Sequence, residues 1–169
     1  EGHTASPKSI GEKIAISSGV RSEGIIMMPN VATVYEVPLT VARDLGQLLS
    51  EFSGVTTEPK LERWQRLARR DDTEYPREIR VGLVAKYTDN SDTYLSVTEA
   101  LKSAAWANNS EIRIEWISAE EASDEDFAKV DAVVVPGGFG ERGVEGKIAA
   151  ATYCLEHNKP YLGICLGLQ

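Results

Sequence analysis

Hydrophobic and polar positions divide the chain into two stretches of different character. In the first, apolar residues recur at helical spacing. Ile10 to Ser17 is a short amphipathic run with Gly19 as its stop, and Val41, Leu45, Leu48, Leu49 and Phe52 predict a helix over 41–52. Between them, the apolar run Gly24–Met28, broken by Pro29 and Asn30, predicts a buried strand ending in a turn. These pieces are too small to close a core of their own. Residues 1–58 therefore read as the tail of a domain whose body lies upstream. Residues 59–76 form a charged connector. There Leu61, Trp64, Leu67 and Ala68 share one stripe of a short helix that docks on a neighbour, and a polar run ends at Pro76, where the boundary is placed.

From Arg77 the pattern changes. Ile79–Ala85 predicts a strand, Thr93–Asn108 a helix with Asp92 as N-cap, and the alternating Ile112–Ile117 a second strand. Asp124–Lys129 predicts a short helix, Val130–Val135 a β-branched strand stopped by Pro136, Val144–His157 a helix and Pro160–Ile164 a final short strand. Strands alternating with helices predict an α/β fold for residues 77–169, an open, mostly parallel sheet flanked by helices.

Composition narrows the partners. Of 169 residues, 18 are Lys or Arg and 26 are Asp or Glu, a formal net charge of −8. Such a chain repels phosphate backbones, so no nucleic acid is expected as partner. No apolar run approaches the roughly 18 residues of a membrane span, so no membrane is expected either. The two cysteines, Cys154 and Cys165, form neither a disulfide framework nor a zinc motif, which favours a reducing, cytoplasmic compartment. The chain starts without Met and stops in mid-motif, which suggests a piece of something longer.

Two loops follow predicted strands, and active sites of open α/β sheets sit at the carboxyl ends of strands. Gly163-Ile-Cys165-Leu-Gly167 resembles a nucleophile elbow with Cys in place of Ser. The glycines permit a sharp turn that exposes the thiol beside backbone N–H groups. Taken alone, the pattern equally fits a buried structural cysteine in a tight turn. Pro136–Gly143 is a glycine-rich loop, either a flexible turn or a nest of N–H donors for an anion or oxyanion. It lacks both the Gly-x-Gly-x-x-Gly spacing and the Lys-Ser/Thr ending of a P-loop, so an oxyanion hole paired with Cys165 is the more economical reading.

The string Pro136-Gly-Gly-Phe-Gly-Glu-Arg-Gly-Val-Glu-Gly-Lys147, followed by Pro160-Tyr-Leu-Gly-Ile-Cys-Leu-Gly-Leu-Gln169, resembles the amidotransferase domain of the CTP synthase family. Lys86–Thr88 with Asp92–Val97 is similar to that domain's opening strand, loop and helix. Val34–Leu39 is similar to the end of the synthetase domain. The resemblance implies a class I glutamine amidotransferase fold, incomplete here, behind the tail of a second α/β domain. It implies hydrolysis of glutamine and passage of the ammonia to UTP activated by ATP, with Mg2+ bound outside this chain and GTP as allosteric activator. It further implies a homotetramer and filaments.

Carried over residue by residue, the resemblance makes Cys165 the nucleophile, forming a thioester that water hydrolyses. The backbone N–H groups of Gly138 and Leu166 become the oxyanion hole, each worth about 3 kcal/mol of transition-state stabilisation. Gly138, Leu166 and Gln169 bind glutamine. Arg142, Gly143 and Glu145 fall on a GTP-responsive lid, and Asn30 and Val31 near ATP, where the family often carries Asp at the first position. Leu168 stands where Met is common, a volume-conserving exchange.

The family's triad also needs a His and a Glu downstream of the cysteine. His3 and His157 are not substitutes, and His157 reads as a solvated imidazole at a helix end. Little activity is therefore expected of this chain alone. Cys154 and the three tryptophans read as packing residues, and the acidic run Glu120–Asp126 as a solvated loop and helix start, with no metal bound. Two other readings stay open: a glutaminase serving another synthetase or a related cysteine hydrolase, and a non-catalytic assembly module using the connector helix.

Overall fold

The structure, a computed structural model, describes residues 7–88, 91–138 and 140–169. His3 and Phe139 lie outside the described residues. The chain divides into two compact units, one up to Thr73 and one from Glu74.

The first unit holds three helices, α1 (Pro7–Ser18), α2 (Val37–Ser53) and α3 (Glu62–Asp71). Gly19 and Gly54 follow the first two with φ of 67° and 71°, the left-handed conformation that ends a helix. The connector helix α3 packs on α2 and on the 3-10 turn Val34–Glu36, burying Ala68. The strand expected over Gly24–Met28 does not form. Ser22–Gly24 is a 3-10 turn, the residues after it are irregular, and Met27 and Met28 are exposed. A lone apolar run has no ladder to join, and no strand lies in this unit among the described residues.

The second unit is a four-stranded parallel sheet in the order β2-β1-β3-β4. The strands are β1 (Glu78–Ala85), β2 (Glu111–Ser118), β3 (Ala132–Val135) and β4 (Tyr161–Gly163), joined through α4 (Leu95–Ala107), α5 (Asp124–Ala128) and α6 (Val144–Glu156). Central β1 is buried from Val81 to Ala85, the continuous apolar run of a strand covered on both faces. One face carries Val81, Leu83, Tyr94 and Val134, with Val97 and Leu101 of α4 against it. The other carries Val84, Ile117, Val133 and Val135 under Phe127, Ala150 and Cys154 of α5 and α6.

Two details differ from expectation. Residues Ser91–Tyr94 form a 3-10 turn, so Asp92 does not cap α4. Tyr94 holds that position instead, its hydroxyl accepting from the Lys86 and Tyr87 N–H groups. Trp106 is buried, but Trp116 on edge strand β2 and Trp64 on α3 keep more than a third of their surface. The acidic run serves local structure, with the Asp126 carboxylate accepting from the N–H and hydroxyl of Ser123 at the start of α5.

Candidate active site

The chain runs from β1 outward to β2, then crosses to β3 on the other side of β1. The carboxyl ends of β1 and β3 therefore flank a topological switch point, where open α/β sheets bind ligands. Lys86 and Tyr87 leave β1 there, Pro136–Gly138 leave β3, and Ile164–Cys165 leave β4 in the next position.

Cys165 is exposed and has φ of 54°. A non-glycine residue held in this region costs on the order of 1 kcal/mol or more and persists only where its surroundings enforce it. The enforcement is visible. Ile164 N–H donates to Val135 O at 2.9 Å, which lays the elbow on the end of β3. Gly167 N–H donates to Ile164 O at 3.0 Å, and the Tyr161 hydroxyl donates to Gly167 O at 2.5 Å. A Cβ on Gly163 would stand 2.2 Å from Gly167 O, and one on Gly167 2.1 Å from Val135 O. Both glycines of Gly-x-Cys-x-Gly are thus required by backbone contact, and the thiol faces solvent as an elbow demands.

The glycine-rich loop lies against this turn. A Cβ on Gly137 would be 3.2 Å from Cys165 Cβ and 3.7 Å from its Sγ. Gly138 and Gly140 have φ of 144° and 101°, conformations that favour glycine. Gly143, at φ 78°, opens α6, and Gly146 lets the first turn of α6 press on Ala119, where a Cβ would meet the carbonyl at 2.0 Å. Arg142 pairs with Glu120 at 2.7 Å and donates to Lys86 O, fixing the loop to the end of β1. Glu145 is exposed on the first turn of α6. Leu166 and Gln169 line a cleft of about 370 Å³ with Val144, Lys147, Ile148 and Tyr161.

The structure thus brings Gly138, Cys165, Leu166 and Gln169 together, with Arg142, Gly143 and Glu145 at the start of the adjoining helix. Asn30 and Val31 belong to the irregular segment of the first unit. His157 is occupied elsewhere, its Nδ1 2.9 Å from Tyr153 O and its ring stacked on Tyr153. Cys154 is 2% exposed, and burial pushes its thiol up.

Sequence reasoning missed Lys147, which is buried in α6 with its Nζ 3.8 Å from where a Cβ on Gly138 would stand. Burial, and then the Lys86 ammonium, hold its pKa below the ordinary lysine value, while Cys165 acts in the opposite sense. The available signal was position: Lys147 shares a helical face with Ala150 and Cys154, where an apolar residue is expected.

Residues 90–169 match the family model for glutamine amidotransferase class-I. The chain is 46% identical over 166 residues to the CTP synthase of Chloroflexus aurantiacus, covering 95% of this chain and 30% of that protein. It is 44% identical over 172 residues to the CTP synthase of Cereibacter sphaeroides, covering 98% and 31%. It therefore spans about 30% of the length of the curated relatives it matches. Among solved structures, the glutaminase domain of Trypanosoma brucei CTPS with bound acivicin is similar, with TM-score 0.51 and 35% identity over 54% of this chain and 38% of that one.

Proposed function

We propose, from the premise that this chain is homologous over nearly its whole length to CTP synthases, that it joins the end of a synthetase domain to the nucleophile-bearing half of a glutaminase. Cys165 attacks the amide carbon of glutamine. The C–N bond breaks, ammonia leaves, and water then cleaves the thioester to glutamate. The N–H groups of Gly138 and Leu166 stabilise the oxyanion, and Gln169 holds the amino-acid end of the substrate. The observation supporting this reading is the left-handed, exposed Cys165 seated against Gly137 at the carboxyl edge of the sheet.

In the whole enzyme the ammonia aminates ATP-activated UTP to CTP. The likeness to CTP synthases supports this, and with it GTP acting through Arg142, Gly143 and Glu145, ATP near Asn30 and Val31, a cytoplasmic tetramer, and filaments. The likeness to CTP synthases implies that the Mg2+ of that reaction binds outside this chain. His157 is engaged with Tyr153, and the likeness to CTP synthases implies that the base that activates Cys165 comes from the rest of the enzyme. The chain by itself is expected to release little or no ammonia.

The test is labelling by acivicin, a glutamine-analogue electrophile, of the chain alone and of the complete parent enzyme, with the modified peptide identified by mass spectrometry. The expected result is selective modification of Cys165 in the complete enzyme. Equal modification of Cys154 and Cys165, or of neither, in both forms overturns the assignment.

A further inference from the structure

Lys147 is a charged side chain that the reading above leaves unused. It is 6% exposed, and it lines the cleft beside Leu166 and Gln169. Its ammonium reaches the glycine loop at Gly138. Among the described residues that ammonium makes no hydrogen bond or ion pair. The stem is buried while the ammonium opens onto the cleft, where an arriving anion meets an unpaired cation. A second ammonium lies close by, with Lys86 Nζ 3.1 Å from where a Cβ on Gly140 would stand. Two lysines thus converge on one glycine loop of a chain with net charge −8.

We propose that Lys147 is a further residue of the glutaminase site, its ammonium the counter-charge to the oxyanion that forms against Gly138. The proposal rests on the glutaminase reading. As the S–C bond forms, the carbonyl π pair moves onto oxygen, and the ammonium faces that charge beside Gly138. When the pair returns, the C–N bond breaks, and the proton given up by the thiol leaves on the ammonia. The charge is then gone from the oxygen, so Lys147 favours the transition state over both the amide and the thioester.

The ammonium must be protonated to act. Among the described residues, the titratable and charged groups that act on it or line its cleft are Lys86 at the end of β1, Cys165 on the elbow and Tyr161 on β4. Burial and Lys86 lower its pKa, so the alkaline fall in activity should begin below the range of an ordinary lysine.

The experiment is steady-state glutaminase kinetics on the complete parent enzyme, as native protein, Lys147→Met and Lys147→Arg. Met keeps the apolar stem and removes the charge. Its kcat should fall about a hundredfold with KM little changed. Arg keeps the charge and does not deprotonate, so it should retain most of kcat and move the alkaline limb to higher pH. An unchanged kcat in Lys147→Met, or an unmoved alkaline limb in Lys147→Arg, overturns the proposal. Should Lys147→Met fail to fold, the limb of Lys147→Arg decides alone. A native parent that releases no ammonia from glutamine defeats the glutaminase reading and the proposal with it. That outcome is distinguishable from a normal native rate that Lys147→Met leaves intact.

Discussion

Gly167 and Val135 are in backbone contact: a Cβ on the glycine would stand 2.1 Å from the valine carbonyl oxygen. That oxygen also accepts from Ile164 N–H, so the end of β3 holds both arms of the elbow. Because the obstruction is main chain at the centre of the site, it cannot move aside. Gly167→Ala should cost about 3 kcal/mol, read as a lower denaturant midpoint, and should disorder the elbow. A midpoint within about 0.5 kcal/mol of native would show that the contact is slack.

The two cysteines differ in access. Cys165 is exposed, whereas Cys154 is 2% exposed with its thiol pushed up by burial. Iodoacetamide at neutral pH should modify one thiol in the folded chain and both in denaturant, with the first adduct on Cys165. The raised Cys154 thiol binds its proton more tightly folded than unfolded. Stability should therefore hold up to the ordinary value of 9.0 and decline as pH rises beyond it. Cys154→Ala should lack that contribution.

Much of the second unit was legible because each element carries one clear signal. The β-branched run ending at Pro136 could only be a buried strand, and Gly-x-Cys-x-Gly after a short strand could be read as a turn. What was not legible depends on neighbours. The apolar run Gly24–Met28 looks like a strand in isolation but has no ladder to join. Asp92 has the right chemistry for a cap, yet the 3-10 turn Ser91–Tyr94 moves the helix start to Leu95 and puts Tyr94 at the cap position. Lys147 is polar by type and interior by position, and its nearness to Gly138 appears only in the folded chain.

Gly46 sits inside α2, and a Cβ there would meet nothing within 4 Å. A helical glycine with free space around it carries only its entropic cost, so Gly46→Ala should stabilise the first unit by roughly 0.5–1 kcal/mol. A thermal scan followed by far-ultraviolet circular dichroism should show its transition move upward. A downward shift would mean that this face of α2 packs more closely than the structure shows.

Asp126 caps α5 by accepting from both donors of Ser123, and the Ser123 hydroxyl is the main cause that holds its carboxyl below the ordinary 3.8. A lowered carboxyl contributes stability above 3.8, and that contribution is lost as pH falls through the folded value. Ser123→Ala should cost about 1 kcal/mol at neutral pH. The gap from native should narrow in acid, where both proteins carry a protonated Asp126. A gap that stays constant into acid would show that the hydroxyl acts on something other than this carboxylate.

Tyr161 links the last strand to the elbow through its hydroxyl, which donates to Gly167 O. Tyr161→Phe keeps the ring against the α6 face of the sheet and removes that bond, leaving the carbonyl short of a partner. The loss should be about 1 kcal/mol. Burial pushes the phenol above its ordinary 10.0, so the folded state holds the proton more tightly than the unfolded chain. The hydroxyl's contribution is therefore complete below pH 10.0 and fades as pH rises toward the folded value, a decline that Tyr161→Phe cannot show. The stability difference between the two proteins should shrink in strong alkali. The same bond helps hold Cys165 at φ 54°, so its removal should change the alkylation rate of Cys165 and leave Cys154 protected. If both the difference and the Cys165 rate stay fixed, the elbow is held by its glycines and main-chain bonds alone, and Tyr161 serves only to fill the core.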